Sequence, residues 1–362
     1  MSRVNRLAKR ALHVLVLAGT TFFVTPTFAA PLKVGFVYVS PIGDAGWTFQ
    51  HETGRQALAS ALGSDVATSF VDKVPEGAEA ERVIRQFARD GYDLIFTTSF
   101  GYMNPTIKVA KRFPKIAFEH ATGYKRAANV GTFNVRFYEG RYLAGIIAGA
   151  QSKTGVAGYV AAFPIPEVVM GINAFTRGMR VSNPNAEMRV VWVNSWYDPG
   201  REREAAAALI AQGADVVTHH TDSTAVVQTA EEKGVFAVGY HSDMSKYGPN
   251  AHLAAVTHHW GAHYIKVAKA VRGGTWTPSN LWGGMQQGMV KLEAIHQNVP
   301  AKVKQRVKDL EARLTAGTFH PFTGPVVDNA GAMRVPPGET ISDEALSKMN
   351  YYVEGVRGQL PK

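Results

Sequence analysis

The chain has 362 residues, 46% of them apolar, with 39 Lys and Arg against 29 Asp and Glu, a formal net charge of +10. That length and apolar content exceed what one small core needs and fit two α/β lobes of ordinary size. Cysteine is absent, which excludes a disulfide framework, a thiolate metal site and a lipid-modified cysteine.

Residues 1–29 read as a signal peptide. Arg3, Arg6, Lys9 and Arg10 precede an apolar run from Ala11 to Val24 and the small-residue site Thr27-Phe28-Ala29, a run too short to span a bilayer. The expected product is a soluble periplasmic protein that is not a lipoprotein. Four of the excess cations leave with the signal, so the mature chain carries +6. Spread over predicted helices, that charge reads as solvated surface, and no nucleic-acid partner is expected.

The first mature element is a buried strand, VGFVYV from Val34, followed by a Gly/Pro loop and a helix near Thr48–Leu62. A strand at Val66–Val71, a helix from about Ala78 to Arg89 and a strand at Asp93–Thr97 come next. A helix near Asn104–Arg112, a strand at Lys115–Glu119 and a strand at Val130–Val135 complete the first set. Strict alternation of strand and helix is the pattern of a doubly wound parallel sheet. The helix EGRYLAGIIAGAQ is apolar almost all round, so deep burial is expected.

A second alternating set runs through strands at Gly155–Ala161, Met188–Asn194, Asp215–His219 and Val235–Gly239. Its helices are expected at Glu167–Val181, Glu202–Gln212 and Ser223–Lys233. Short strands near His252–Val256 and Gly288–Leu292 flank a helix at Gly261–Arg272, a pattern expected where the chain crosses back between lobes. The charged helix AKVKQRVKDLEARL has one apolar face and reads as a surface helix. The expected lobes are 30–134 with about 257–290, and about 135–256 with 291–340, leaving 341–362 as a tail against a lobe or the hinge.

Open α/β sheets bind ligands beyond the carboxyl ends of their strands, so the residues that follow each strand are the candidates. In the first half these are Asp44 and Trp47, then Ser99, Phe100 and Tyr102, then Glu119 and His120. The second half offers Phe163 and Glu167, then Trp196, Tyr197 and Asp198, then His219 to Asp222, then Tyr240, His241 and Asp243. Aromatics and carboxylates recur at equivalent places in both halves. Aromatic faces stack on planar rings, and carboxylates accept from ring N–H and amino groups, a combination suited to a flat polar ligand such as a nucleobase.

Enzyme signatures are missing. No G-x-G-x-x-G follows the first strand, and neither a G-x-S-x-G elbow nor a G-x-x-x-x-G-K-[ST] loop occurs. The pairs His219-His220 and His258-His259 invite a metal reading, but adjacent residues on a strand point to opposite faces, so neither pair readily supplies two ligands to one ion. No cofactor or metal is expected.

GFVYVSPIGDAGWTFQHETGR, FTTSFGYMNPT, FEHATGY, FYEGRYLAG, VNSWYDPGRE, THHTDST and HPFTGP resemble the basic membrane protein family of ABC-importer substrate-binding proteins, most closely its periplasmic purine-binding members. The resemblance runs from about Lys33 to the C-terminus. It implies a type I periplasmic-binding-protein fold, two lobes joined by a hinge of three crossings, and no reaction. Carried over by position, Asp44 and Trp47 match the acid and stacking aromatic of the first loop, Phe100 a ligand-facing loop, Glu119 a base-contacting acid and Trp196 the second stacking aromatic. Two departures stand out: His241 replaces the Asp that grips ribose hydroxyls in nucleoside binders, and His258 replaces a cleft Lys. Losing an acceptor for two hydroxyls weakens the case for a ribose. The expected ligand is therefore a free purine, adenine or guanine, held by Asp44, Trp47, Phe100, Glu119, Trp196, Asp222, Tyr240, His241, Asp243 and His258. The expected receptor is a monomer that serves an inner-membrane permease. A nucleoside receptor of the same fold and, from another class, a purine-acting hydrolase are the alternatives.

Overall fold

The computed structural model describes residues 30–361, and the signal-peptide expectation lies outside them. The first half builds β1 (Leu32–Val37), α1 (Trp47–Leu62), β2 (Val66–Val71), α2 (Ala78–Arg89), β3 (Leu94–Thr97), α3 (Met103–Ala110), β4 (Ala117–Ala121) and β5 (Val130–Val135). The second half builds α4 (Phe137–Gln151), β6 (Val156–Ala161), α5 (Pro166–Ser182), β7 (Glu187–Trp192), α6 (Pro199–Ala211), β8 (Val216–His220), α7 (Ala225–Lys233), β9 (Phe236–His241) and β10 (His252–His258). Then come α8 (Gly261–Arg272), β11 (Asn280–Gly283), β12 (Val290–Glu293) and α9 (Ala301–Thr315).

Two six-stranded sheets result, ordered β11-β5-β4-β3-β1-β2 and β12-β10-β9-β8-β6-β7. Every pairing in the first is parallel. The second is parallel except where β12 runs against β10. This is the expected pair of doubly wound parallel sheets. The chain passes between them after β5, after β10 and after β11. Strand β11 is absent from the sequence expectations, because the four residues NLWG carry neither a β-branched run nor alternation.

Helices α1 and α8 pack together on one side of the first sheet, as α4 and α5 do on the second. The expected burial of α4 is met from Phe137 to Gly149. Its cause is backbone contact with α5: a Cβ at Gly145 would sit 2.1 Å from the Phe175 carbonyl oxygen, and one at Gly178 2.0 Å from that of Tyr142. Past α9, residues 341–361 lie against the second lobe. Asn173 of α5 donates to the Tyr351 carbonyl and accepts from the Val353 N–H, and Val356 bridges to Met188 of β7.

Candidate functional site

The carboxyl ends of the two sheets face each other around a small, largely enclosed cavity. The first lobe contributes Val39, Trp47, Ser99, Phe100 and Thr122. The second contributes Glu167, Trp196, His220, Asp222 and His241. The first lobe thus supplies apolar, aromatic and hydroxyl surface, while every titratable group comes from the second.

Local structure fixes each group. Trp47 opens α1, buried, with its indole N–H donated to the Thr98 carbonyl at 2.7 Å and its ring set edge-on against His51, His241 and Trp260. Glu167 follows Pro166 in the first turn of α5, and its Oε2 accepts from Asn134 Nδ2 at 3.0 Å. The loop after β8 is tied to α6 by the buried Glu202, which accepts from Thr221 and Ser223 hydroxyls at 2.7 and 2.6 Å. Thr122 and His241 hold φ of +63° and +69°, a left-handed conformation that costs about 1–3 kcal/mol in a residue with a side chain and clusters at functional sites.

The lobes touch directly. Ser40 Oγ donates to Asp222 Oδ2 at 3.1 Å, the Gly46 N–H to Ser242 Oγ at 2.8 Å, and Gln50 Nε2 to the His258 carbonyl at 2.9 Å. Glu76 Oε1 accepts from Ser99 Oγ at 2.5 Å and the Gly101 N–H at 2.9 Å on its own lobe, and from Trp196 Nε1 at 3.1 Å across the cleft. Gly46, at φ +99°, passes so close that a Cβ would lie 2.1 Å from the Asp222 carbonyl oxygen.

Burial dominates the electrostatics. It raises Asp222 well above the usual carboxylate range, with Glu202 adding to the effect, and it raises Glu167 to about 8. Burial drives His220 and His241 well below the ordinary imidazole value. The Arg141 guanidinium reinforces this for His220, and His258 does so first for His241, with Arg141 a smaller contributor. Two carboxyl–imidazole pairs result: Glu167 Oε1 lies 3.6 Å from His220 Nε2, and Asp222 Oδ1 lies 3.5 Å from His241 Nε2. Among the described residues, no group of three or more His, Asp or Glu is arranged to hold a metal ion.

Of the sequence candidates, Trp47, Phe100, Trp196, Asp222 and His241 line the cavity. Tyr240 and His258 lie behind His241, with the two histidine Nδ1 atoms 3.2 Å apart and the Tyr240 ring 4.0 Å from that of His241. Three candidates stand elsewhere. Glu119 sits inside β4 rather than past its end, wholly buried, accepting from Trp276 Nε1 at 2.9 Å with His263 Nε2 at 3.5 Å; Thr122, beyond the strand, takes the cavity position. Asp44 is exposed and pairs across the lobes with Lys246 and Tyr247. Asp243 is also exposed and caps the Ser245 N–H at 2.8 Å. Glu167 and His220 stand among the residues that follow the strands but not in the expected ligand set, and Glu76, which no motif marks, is not a candidate at all.

A family model described as ABC transporter substrate-binding protein PnrA-like matches residues 32–316. The chain belongs to this family. It is 52% identical over 331 residues to a purine-binding protein of Brucella abortus, covering 91% of this chain and 94% of that one. It is 38% identical over 337 residues, 93% of this chain and 83% of the other, to a Haloferax volcanii protein provisionally named as an ABC transporter glucose-binding protein. Among solved structures, a solute-binding protein of an Aeropyrum pernix ABC transporter system superimposes with a TM-score of 0.69 at 21% identity, covering 79% of this chain and 92% of that one. The relatives and the fold are those of substrate-binding proteins and not of enzymes, and the family pairs a small-molecule ligand with an ABC permease.

Proposed function

We propose that this substrate-binding protein captures a free purine base in the periplasm and presents it, enclosed, to an inner-membrane permease. The observation that carries this reading is the cavity itself: three aromatic residues, Trp47, Phe100 and Trp196, surround a small volume whose titratable groups are two carboxyl–imidazole pairs. A planar heterocycle offers faces to the aromatics and in-plane donors and acceptors to the pairs. The name of the Brucella abortus relative supports the same class.

A base is favoured over a nucleoside on one ground. One Asp222 oxygen already accepts from Ser40 and the other faces His241, so no free carboxylate remains on that side to accept two ribose hydroxyls. The Haloferax volcanii relative motivates glucose as the second reading, since aromatic rings also pack on sugar faces. Calorimetric titration of protein stripped by unfolding and refolding separates these readings. Adenine or guanine binding at one site per chain supports the proposal, whereas tighter binding of a nucleoside or of glucose refutes it.

A further inference from the structure

Glu167 stands at the boundary between the inner cavity and a second, outer pocket that also contains Asn134 and Arg126. The residue is 8% exposed, and its carboxyl receives one hydrogen bond, from Asn134 Nδ2 to Oε2. Among the described residues, no Lys or Arg nitrogen lies within ion-pair distance of it. The other oxygen, Oε1, is 3.6 Å from His220 Nε2, too far for a hydrogen bond. One edge of this carboxyl therefore remains unspent and opens on the cavity.

A carboxyl and an imidazole side by side share the question of which holds a proton. Here the surroundings answer it. Arg141, fully buried, donates to Thr218 Oγ1 at 2.9 Å and to the His219 carbonyl, and its guanidinium lies 3.4 Å from the centre of the Tyr240 ring. No carboxylate among the described residues pairs with it, so its charge bears on the imidazoles of His219, His220, His241 and His258. An imidazolium at His220 would be both desolvated and repelled by that cation. Tyr159 and Tyr240, which face Glu167 from β6 and β9, are neutral phenols, while Asp222 and His241 line the same cavity and Arg126 lines the outer pocket.

We propose that Glu167 reads the ligand as a neutral carboxylic acid, its O–H donated to a ring acceptor while its carbonyl oxygen accepts from the adjacent ligand N–H. The inference rests on the purine reading and deepens it. It selects a heterocycle edge with an acceptor and a donor side by side, as in the ring nitrogen and amino group of adenine or the carbonyl and N–H of a 6-oxopurine. An edge of two donors would need the ionised form. Asn134 holds the carbonyl oxygen in place, and Arg141 acts as a positioning residue, through His220, by keeping the proton on the acid.

The sign of the pH dependence follows. Burial holds Glu167 at about 8, so the neutral form is nearly complete at pH 6–7 and falls to about one-tenth at pH 9. Apparent affinity scales with the competent fraction, so the Kd for adenine weakens about tenfold between pH 7 and pH 9. Titrations from pH 6 to pH 9 in buffers of differing ionisation enthalpy read both Kd and proton uptake. For wild type, adenine binding at pH 9 takes up close to one proton. Glu167→Gln, whose amide keeps one donor and one acceptor, retains binding at pH 6.5 with no such uptake and a flat profile. A flat wild-type profile, or a Glu167→Gln profile as steep as that of wild type, overturns the inference while leaving purine binding intact. A wild type that takes no adenine at any pH also overturns it, and if guanine and hypoxanthine fail as well the purine reading falls with it.

Discussion

Closure of the two lobes depends in part on one bond that can be isolated. Glu76 Oε1 is held by Ser99 Oγ and the Gly101 N–H within its own lobe and reaches Trp196 Nε1 at 3.1 Å on the other. Glu76 is exposed, so water competes for the cross-lobe bond and its net worth is about 1 kcal/mol, that of an ordinary hydrogen bond. Glu76→Ala should then weaken ligand Kd about fivefold, expressed as faster dissociation because the bond forms only in the closed state. Trp196→Phe keeps a ring against the ligand but removes the indole N–H, and should cost a similar amount. If the two act through one bond, the double variant is no weaker than either single variant, and the coupling energy equals about 1 kcal/mol. Stopped-flow displacement, followed by tryptophan fluorescence, gives all four dissociation rates. Additive effects in the double variant would refute the latch.

Two other perturbations test separate parts of the account. Gly46→Ala places a methyl 2.1 Å from the Asp222 carbonyl oxygen across the cleft and strains a backbone at φ +99° and ψ −167° that only glycine adopts readily, so the apo melting temperature should fall and ligand affinity should fall at least tenfold; wild-type affinity would show that the lobes need not approach this closely. His120, buried against Thr97 with its pKa lowered to about 4 by burial, binds a proton more readily in the unfolded chain, so its contribution is complete above pH 6.5 and is lost as pH falls, by about 2 kcal/mol at pH 5. His120→Gln should lose less stability than wild type between pH 7 and pH 5 in urea titrations, and parallel losses would refute that assignment.

The alternation of strands and helices made the two sheets legible, because strands such as β1, LKVGFV, and β6, VAGYVA, are largely apolar runs and helices such as α2 carry a clear apolar face. The site was legible to the level of loops and no further. Glu119 illustrates why: β4 runs on to Ala121, and a shift of two residues turns a candidate ligand contact into an interior acid bonded to Trp276. Asp44 is in the right loop but faces Lys246 and Tyr247 at the rim. Glu76 carries no motif at all, and its role exists only once Trp196 of the other lobe arrives beside it. Strand β11 is recruited to an edge of the first sheet by pairing with β5, a tertiary effect on four residues with little strand signal.

The most direct test of the central claim is calorimetric titration of the stripped protein at pH 6.5 with adenine, guanine, their nucleosides and glucose. One site per chain, filled by a free purine base at least tenfold more tightly than by its nucleoside and with no heat from glucose, is the predicted result. A nucleoside that outbinds both bases, or saturable binding of glucose alone, would contradict it.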